Sequence, residues 1–210
     1  SLKKNKFINF KKKFNLDLLK KNSYKLIFNC EQNNSLSKKI FFKKISKNYN
    51  SYAYTTIIEH KKLFGNDVAS QIFTKKGPMA FLLISSTETS IVYSFKGKKK
   101  INLKEMIDKY NSRYEIQKVN KILNFELNSL QLRSYYHNNI LAFGDLLHKL
   151  HPLAGQGFNM SIRDIKEISK LIKQRLDLGL DLDHSICSDF EKNSKHKNYL
   201  FSNGIDFIHE

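Results

Sequence analysis

The polar and apolar positions of the chain change period along its length, and each period predicts a different element. YAYTTIIEH (52–60), VASQIFT (68–74), MAFLLIS (79–85) and TSIVYSF (89–95) are rich in β-branched and aromatic residues at strand lengths. Gly65-Asn66, Lys76-Gly77-Pro78 and the polar SSTET segment punctuate them as turns, so this region predicts an antiparallel meander. NLKEMIDKYNSRY (102–114) places Leu103, Met106, Ile107 and Tyr110 at helical spacing. An extended region follows from about Ile122 to Tyr136, and then NILAFGD, a short apolar strand that runs into a glycine-rich loop. From Asn159 to Leu176 the apolar residues Ile162, Ile165, Ile168, Leu171 and Ile172 share one helical face, with Arg163, Lys166, Glu167, Lys170 and Lys173 on the other. A second helix is expected over 183–209. At the N-terminus KFINF, FNLDLLKK and YKLIFNC read as extended segments, and EQNNSLSKK as a polar turn that starts a short helix.

Composition narrows the function classes. The 210 residues suffice for one large domain or two small ones. A net charge of +18 suggests an anionic partner, but only four of the 37 basic residues are Arg, the side chain that phosphate and base-edge recognition favours. No specific nucleic-acid binding is therefore expected; the surplus reads as a solvated lysine surface able to touch anionic lipid. Cys30 and Cys187 fit no metal or redox spacing and read as two reduced, mostly buried thiols. No apolar run reaches the roughly twenty residues that span a bilayer. The start at Ser and the stop within GIDFIHE suggest a piece of a longer chain.

The loop is where chemistry concentrates. Gly144, Gly155 and Gly157, three of eight glycines, fall within fourteen residues together with Pro152, one of two prolines. An apolar strand, Gly-Asp, Gly-x-Gly and then a helix is an order that presents a helix N-terminus to an anionic or electron-rich ligand. Glycines let backbone approach that ligand, and an Asp at a strand end suits sugar-like hydroxyls. His148 and His151 beside Asp145 raise a metal site as a rival, but no second cluster of ligands accompanies them, and packing histidines are the better reading. No G-x-S-x-G signature supports acyl hydrolysis.

Gly144-Asp145-x-x-His148-x-x-His151-Pro152-Leu153-Ala154-Gly155-Gln156-Gly157-x-Asn159, followed by Arg163-Asp164, resembles the second FAD motif of the flavin-dependent aromatic-ring hydroxylases, closest to the ubiquinone-biosynthesis hydroxylases of the UbiH, UbiF and VisC type. Tyr49 to His60, and Ala69 through Gly77-Pro78 to Leu83, resemble that branch's substrate-domain strands. The resemblance implies mixed α+β and α/β architecture: an antiparallel substrate-domain sheet plus the C-terminal part of a Rossmann-like FAD-binding domain of the glutathione-reductase type. The divisions it implies are a FAD-domain remnant (1–40), a substrate-binding sheet (41–137), and the Gly-Asp loop with C-terminal helices (138–210). It assigns FAD contacts to Gly144, Asp145, Pro152, Leu153, Ala154, Gly155, Gln156, Gly157 and Asn159, with Asp145 on the ribityl chain. No catalytic side chain or metal is implied, because the flavin carries the hard step. The implied reaction uses NAD(P)H and O2 to hydroxylate a polyprenylated phenol in ubiquinone biosynthesis. The implied setting is cytoplasmic and peripheral on the inner membrane, within a ubiquinone-biosynthesis complex.

Two departures leave an alternative open. The family's N-terminal G-x-G-x-x-G is not in this sequence, and its middle Gly-Ala-Asp-Gly-x-x-Ser motif aligns with Asn29-Cys30-Glu31-Gln32-Asn33-Asn34-Ser35, where only Ser35 is kept. A catalytically inactive family member, acting as a non-enzymatic partner in a quinone-biosynthesis complex, is the competing reading.

Overall fold

A computed structural model describes residues 5–10, 19, 24–97, 101–150 and 156–209. The chain forms two compact units, one of residues 1–45, 131–149 and 155–210, the other of 46–130 and 150–154.

In the first unit, β1 (Ile27–Asn29) runs parallel to β9 (Ile140–Ala142), with Ile27 opposite Ile140 and Asn29 opposite Ala142. β8 (Tyr136–His137) pairs antiparallel on the other side of β9. Leu141 and Ala142 of this central strand are fully buried, as a strand covered on both faces requires. Helix α1 (Ser35–Ile40) follows β1, capped by the Asn34 side chain, which accepts from Ser37 N. Two long helices, α3 (Gln156–Asp177) and α4 (His184–His209), run antiparallel. Their polar pairs fix this direction: Asn198 reaches Asp164, Asn193 reaches Glu167, and Arg175 reaches Asp189. Phe190 of α4 is fully buried, its ring 5.9 Å from that of Phe143 and 6.3 Å from that of Tyr135.

The second unit is a sheet in the order β7-β2-β5-β4-β3, with β6 (Ile116–Val119) also on β2. The strands are β2 (Lys44–His60), β3 (Ser70–Thr74), β4 (Gly77–Leu83), β5 (Glu88–Lys96) and β7 (Leu123–Leu132). Alternation along β5 buries Thr89, Ile91, Tyr93 and Phe95. These pack with Ile58, Met79 and Phe81 from neighbouring strands and with Leu103 and Ile107 of helix α2 (Leu103–Tyr110).

The antiparallel meander and the long helices match the sequence expectations, with four local corrections. KFINF is not a strand: Asn5 accepts from Phe7 N at 2.9 Å, and this side-chain turn competes with extension. FNLDLLKK lies outside the described residues apart from Leu19. Helix α2 ends at Tyr110 rather than Tyr114, because Asn111 turns the chain and donates to Tyr114 O. Ile162 and Ile165 are about half exposed, and the buried stripe of α3 is Met160, Asp164 and Ile168. Finally, Cys30 is exposed and only Cys187 is buried.

Candidate functional site

The parallel pair β1 and β9 ends in two polar segments side by side, the place where open α/β sheets receive ligands. Phe143 N donates to Asn29 O at 2.9 Å, which carries the pairing one residue past the strands. Beyond it, Gly144 adopts φ +58 and opens a short 3-10 turn over Gly144–Leu146, closed by Leu147 N on Gly144 O at 2.9 Å. A left-handed backbone there favours glycine. The turn leaves the Asp145 carboxylate exposed at the strand end.

The segment after β1 is held by its own side chains. Asn29 is buried and donates to Ser37 Oγ at 2.8 Å while accepting from Asn34 Nδ2 at 2.9 Å; Ser37 Oγ donates to Glu31 O. Gln32, from the segment aligned with the middle motif, donates through Nε2 to Asp145 O. Two stretches more than a hundred residues apart in sequence thus meet at one strand end. Asn29 and Gln32 were not among the candidate residues, and both bonds join positions that sequence periodicity does not relate.

Of the nominated residues, Gln156, Gly157 and Asn159 form the first turn of α3, with Asn159 exposed. Pro152, Leu153, Ala154 and Gly155, and His151 of the rival metal reading, lie outside the described residues. Gly157 is informative because a Cβ built on it meets no atom within 4 Å. Glycine inside a helix costs about 1 kcal/mol relative to alanine. Among the described residues nothing packs where a side chain at Gly157 would sit, as is also true of Gly204 in α4, so this helix start presents bare backbone of the kind a flat ligand can lie against.

His148 is a buried core histidine. Its Nε2 lies 2.5 Å from Asp164 Oδ2, each side chain 2% exposed, and Asn198 Nδ2 donates to Asp164 Oδ1 at 3.2 Å. Among the described residues no group hydrogen-bonds the buried Nδ1 of His148. Tyr135 bonds to Asn198, and burial pushes its phenol up to about 12. Among the described residues no three His, Cys, Asp or Glu are grouped to hold a metal ion.

The chain is similar to known flavoproteins at these places. The family described as an FAD binding domain matches residues 94–177, which include Gly144, Asp145 and the start of α3. The chain is 23% identical over 207 residues to the ubiquinone biosynthesis monooxygenase COQ6, mitochondrial, of Danio rerio, covering 77% of this chain and 42% of that protein. It is 23% identical over 143 residues to the ubiquinone hydroxylase UbiL of Rhodospirillum rubrum, covering 63% of this chain and 33% of that protein. Among solved structures, the myxobacterial chondrochloren halogenase CndH superposes with a TM-score of 0.66 at 14% identity, over 88% of this chain and 46% of that one, a likeness of fold. The chain spans less than half the length of these proteins.

Proposed function

From kinship with the FAD-dependent hydroxylases of ubiquinone biosynthesis, we propose that this chain forms the isoalloxazine-side half of a flavin site in a monooxygenase that hydroxylates a polyprenylated phenol with NAD(P)H and O2. The observation that carries the reading is Gly157: a glycine in the first turn of the helix that follows the Gly144-Asp145 strand end, with no described atom where its side chain would be. When bound, FAD supplies the redox chemistry, accepting electrons from NAD(P)H and activating O2. The chain's residues supply position and charge. Asp145 accepts hydrogen bonds from ribityl hydroxyls, while Gly144 keeps that approach clear. The first-turn N–H groups of α3, near Gly157 and Asn159, face the ring edge where negative charge gathers on reduction. The sequence resemblance alone assigns Pro152, Leu153, Ala154, Gly155 and Gln156 to the same cofactor. Peripheral contact with the inner membrane, and membership of a ubiquinone-biosynthesis complex, belong to the same proposal. Among the described residues no helix is long and apolar enough to cross a bilayer.

The test is a titration of the purified chain with FAD, read by quenching of flavin fluorescence. Quenching is expected, about tenfold weaker in Asp145→Ala, which loses charge-assisted hydrogen bonds. Gly157→Ala separates site from scaffold: it stabilises the free helix by up to about 1 kcal/mol and weakens flavin binding. Flavin fluorescence left unchanged even by the chain expressed together with its upstream reading frame removes the proposal.

A second reading, a non-catalytic partner in a quinone-biosynthesis complex, is favoured by Gln32, which stands where the family pattern has glycine and spends its amide on Asp145 O. Flavin binding with no NAD(P)H-dependent reduction in the assembled protein would select it.

A further inference from the structure

The second unit has its charges sorted to opposite ends of the sheet. β2 and β5 pair so that Ser51 faces Lys96 at one end and Glu59 faces Glu88 at the other. The acid-bearing end also holds Asp67 and Glu115, and two of its lysines pair there: Lys61 with Glu115, and Lys118 with Glu59 at 2.9 Å. At the lysine end no acidic residue occurs in sequence from Val68 to Thr87 or from Thr89 to Lys104, a span that covers β3, β4 and all of β5 after Glu88. Lys75, Lys76 and Lys96 are exposed there and adjacent, since Lys96 N donates to Lys76 O at 2.7 Å. Two acids border this end, and each accepts a hydrogen bond from a neutral amide: Glu126 from Asn48, Glu105 from Asn102.

Beside the lysines, Phe73 projects from the edge strand β3 with 81% of its surface exposed. Gly77 enters β4 at φ +134 with its α-carbon pressed on the Ser94 carbonyl, and Thr74 Oγ1 donates to Gly77 O at 2.7 Å. An exposed aromatic ring on a turn with Lys75, Lys76 and Lys96 beside it combines apolar insertion with attraction to anionic headgroups.

We infer that the β3–β4 hairpin end of this unit, with Phe73, Lys75, Lys76 and Lys96, is the surface that docks on an anionic lipid membrane. The inference rests on the peripheral-membrane part of the proposed function and on nothing about the flavin. Lysine in place of arginine at this end favours a headgroup layer over nucleic acid.

The test is sedimentation of the chain with vesicles of equal parts phosphatidylcholine and phosphatidylglycerol, against pure phosphatidylcholine. Each lysine at a membrane surface is worth about fivefold in binding. Lys75→Glu with Lys76→Glu is expected to weaken binding to the mixed vesicles at least about 25-fold. Phe73→Ser weakens it about tenfold. Lys166→Glu with Lys170→Glu, the same charge change on the exposed face of α3, costs about fivefold or less. Equal losses in the two charge variants would show that net charge alone binds, overturning this surface while leaving peripheral association standing. Full binding by the hairpin variants, or wild-type binding as tight to pure phosphatidylcholine, overturns it as well. Vesicle sedimentation needs no flavin, so a failed FAD titration and a failed docking surface give separate signatures.

Discussion

His148 and Asp164 meet at 2.5 Å, both side chains 2% exposed, and join the β10 strand (His148–Lys149) ahead of the glycine loop to the helix that follows it. One buried polar contact thus joins the strand to the helix. Removing one partner strands the other: Asp164→Ala leaves His148 Nε2 buried beside an Nδ1 that no described residue hydrogen-bonds, and leaves Asn198 without its acceptor. Breaking a buried pair this way costs about 3–5 kcal/mol. Asp164→Ala should lose that much in a urea melt. The double variant with His148→Leu, which removes both polar groups, should recover at least about 1 kcal/mol of it.

This contact also shows where sequence reading stopped. The meander over 52–95 was legible because its apolar residues repeat at strand lengths between turn residues, and the glycine loop because glycine and proline gather there against a lysine-rich background. The buried face of α3 differs from the expected one because a face read from apolar residues alone leaves out Asp164. Once His148 and Asn198 satisfy the carboxylate, the helix turns Met160, Asp164 and Ile168 inward and leaves Ile162 and Ile165 half exposed. The spacing of four between Met160, Asp164 and Ile168 was the available signal. The N-terminal half of β2, KISKNYN, was missed since five of its seven residues in the strand are exposed in succession and show no alternation. Gln32 meeting Asp145 O had no signal at all, because it depends on the parallel register of β1 and β9.

The two cysteines should differ sharply in reactivity. Cys30 is exposed, with its thiol shifted upward by partial burial, whereas Cys187 is fully buried and pushed up to about 11 by that burial, with Asp183 adding to it. Since the thiolate is the nucleophile, Cys187 at pH 8 is ionised in roughly one molecule in a thousand and is out of reach as well. An aromatic disulfide reagent should therefore titrate one thiol per native chain and two in denaturant. Two native thiols at similar rates would contradict the packing of Cys187 against α4's neighbours.

Gly77 makes the tightest approach to other backbone of the described glycines. A Cβ there would lie 2.0 Å from Ser94 O and 3.0 Å from Ser94 C, at φ +134. Both atoms are backbone in β5, so no side chain can swing away. Gly77→Ala should cost about 3 kcal/mol through overpacking and a disfavoured conformation. Gly65→Ala makes a useful comparison: its Cβ meets only the Asp67 carboxylate, at 3.9 Å, so it pays for its φ of +73 alone, about 1 kcal/mol. Equal melting temperatures for the two variants would mean that β4 does not press on Ser94.

Tyr135 gives the fold a dependence on alkaline pH whose sign is fixed by its surroundings. Burial is the main cause of its shift to about 12, with the negative charges of Asp164 and Glu191 adding to it and the hydrogen bond to Asn198 opposing it. An unfolded tyrosine titrates near 10. Below pH 10 the phenol is neutral in both states and its contribution to stability is intact. Above pH 10 the unfolded chain releases the proton first, so stability falls by about 1.4 kcal/mol per pH unit until the native phenol also ionises near 12. The loss attributable to this residue is then roughly 2 kcal/mol. Tyr135→Phe lacks the titrating group, so although it is less stable at pH 9 for want of the bond to Asn198, it should lose less stability than the wild type between pH 10 and 12. Urea melts of the two proteins across that interval measure the difference. Parallel pH profiles would show that Tyr135 is solvated in the native state and that the polar network around Asp164 is open to water.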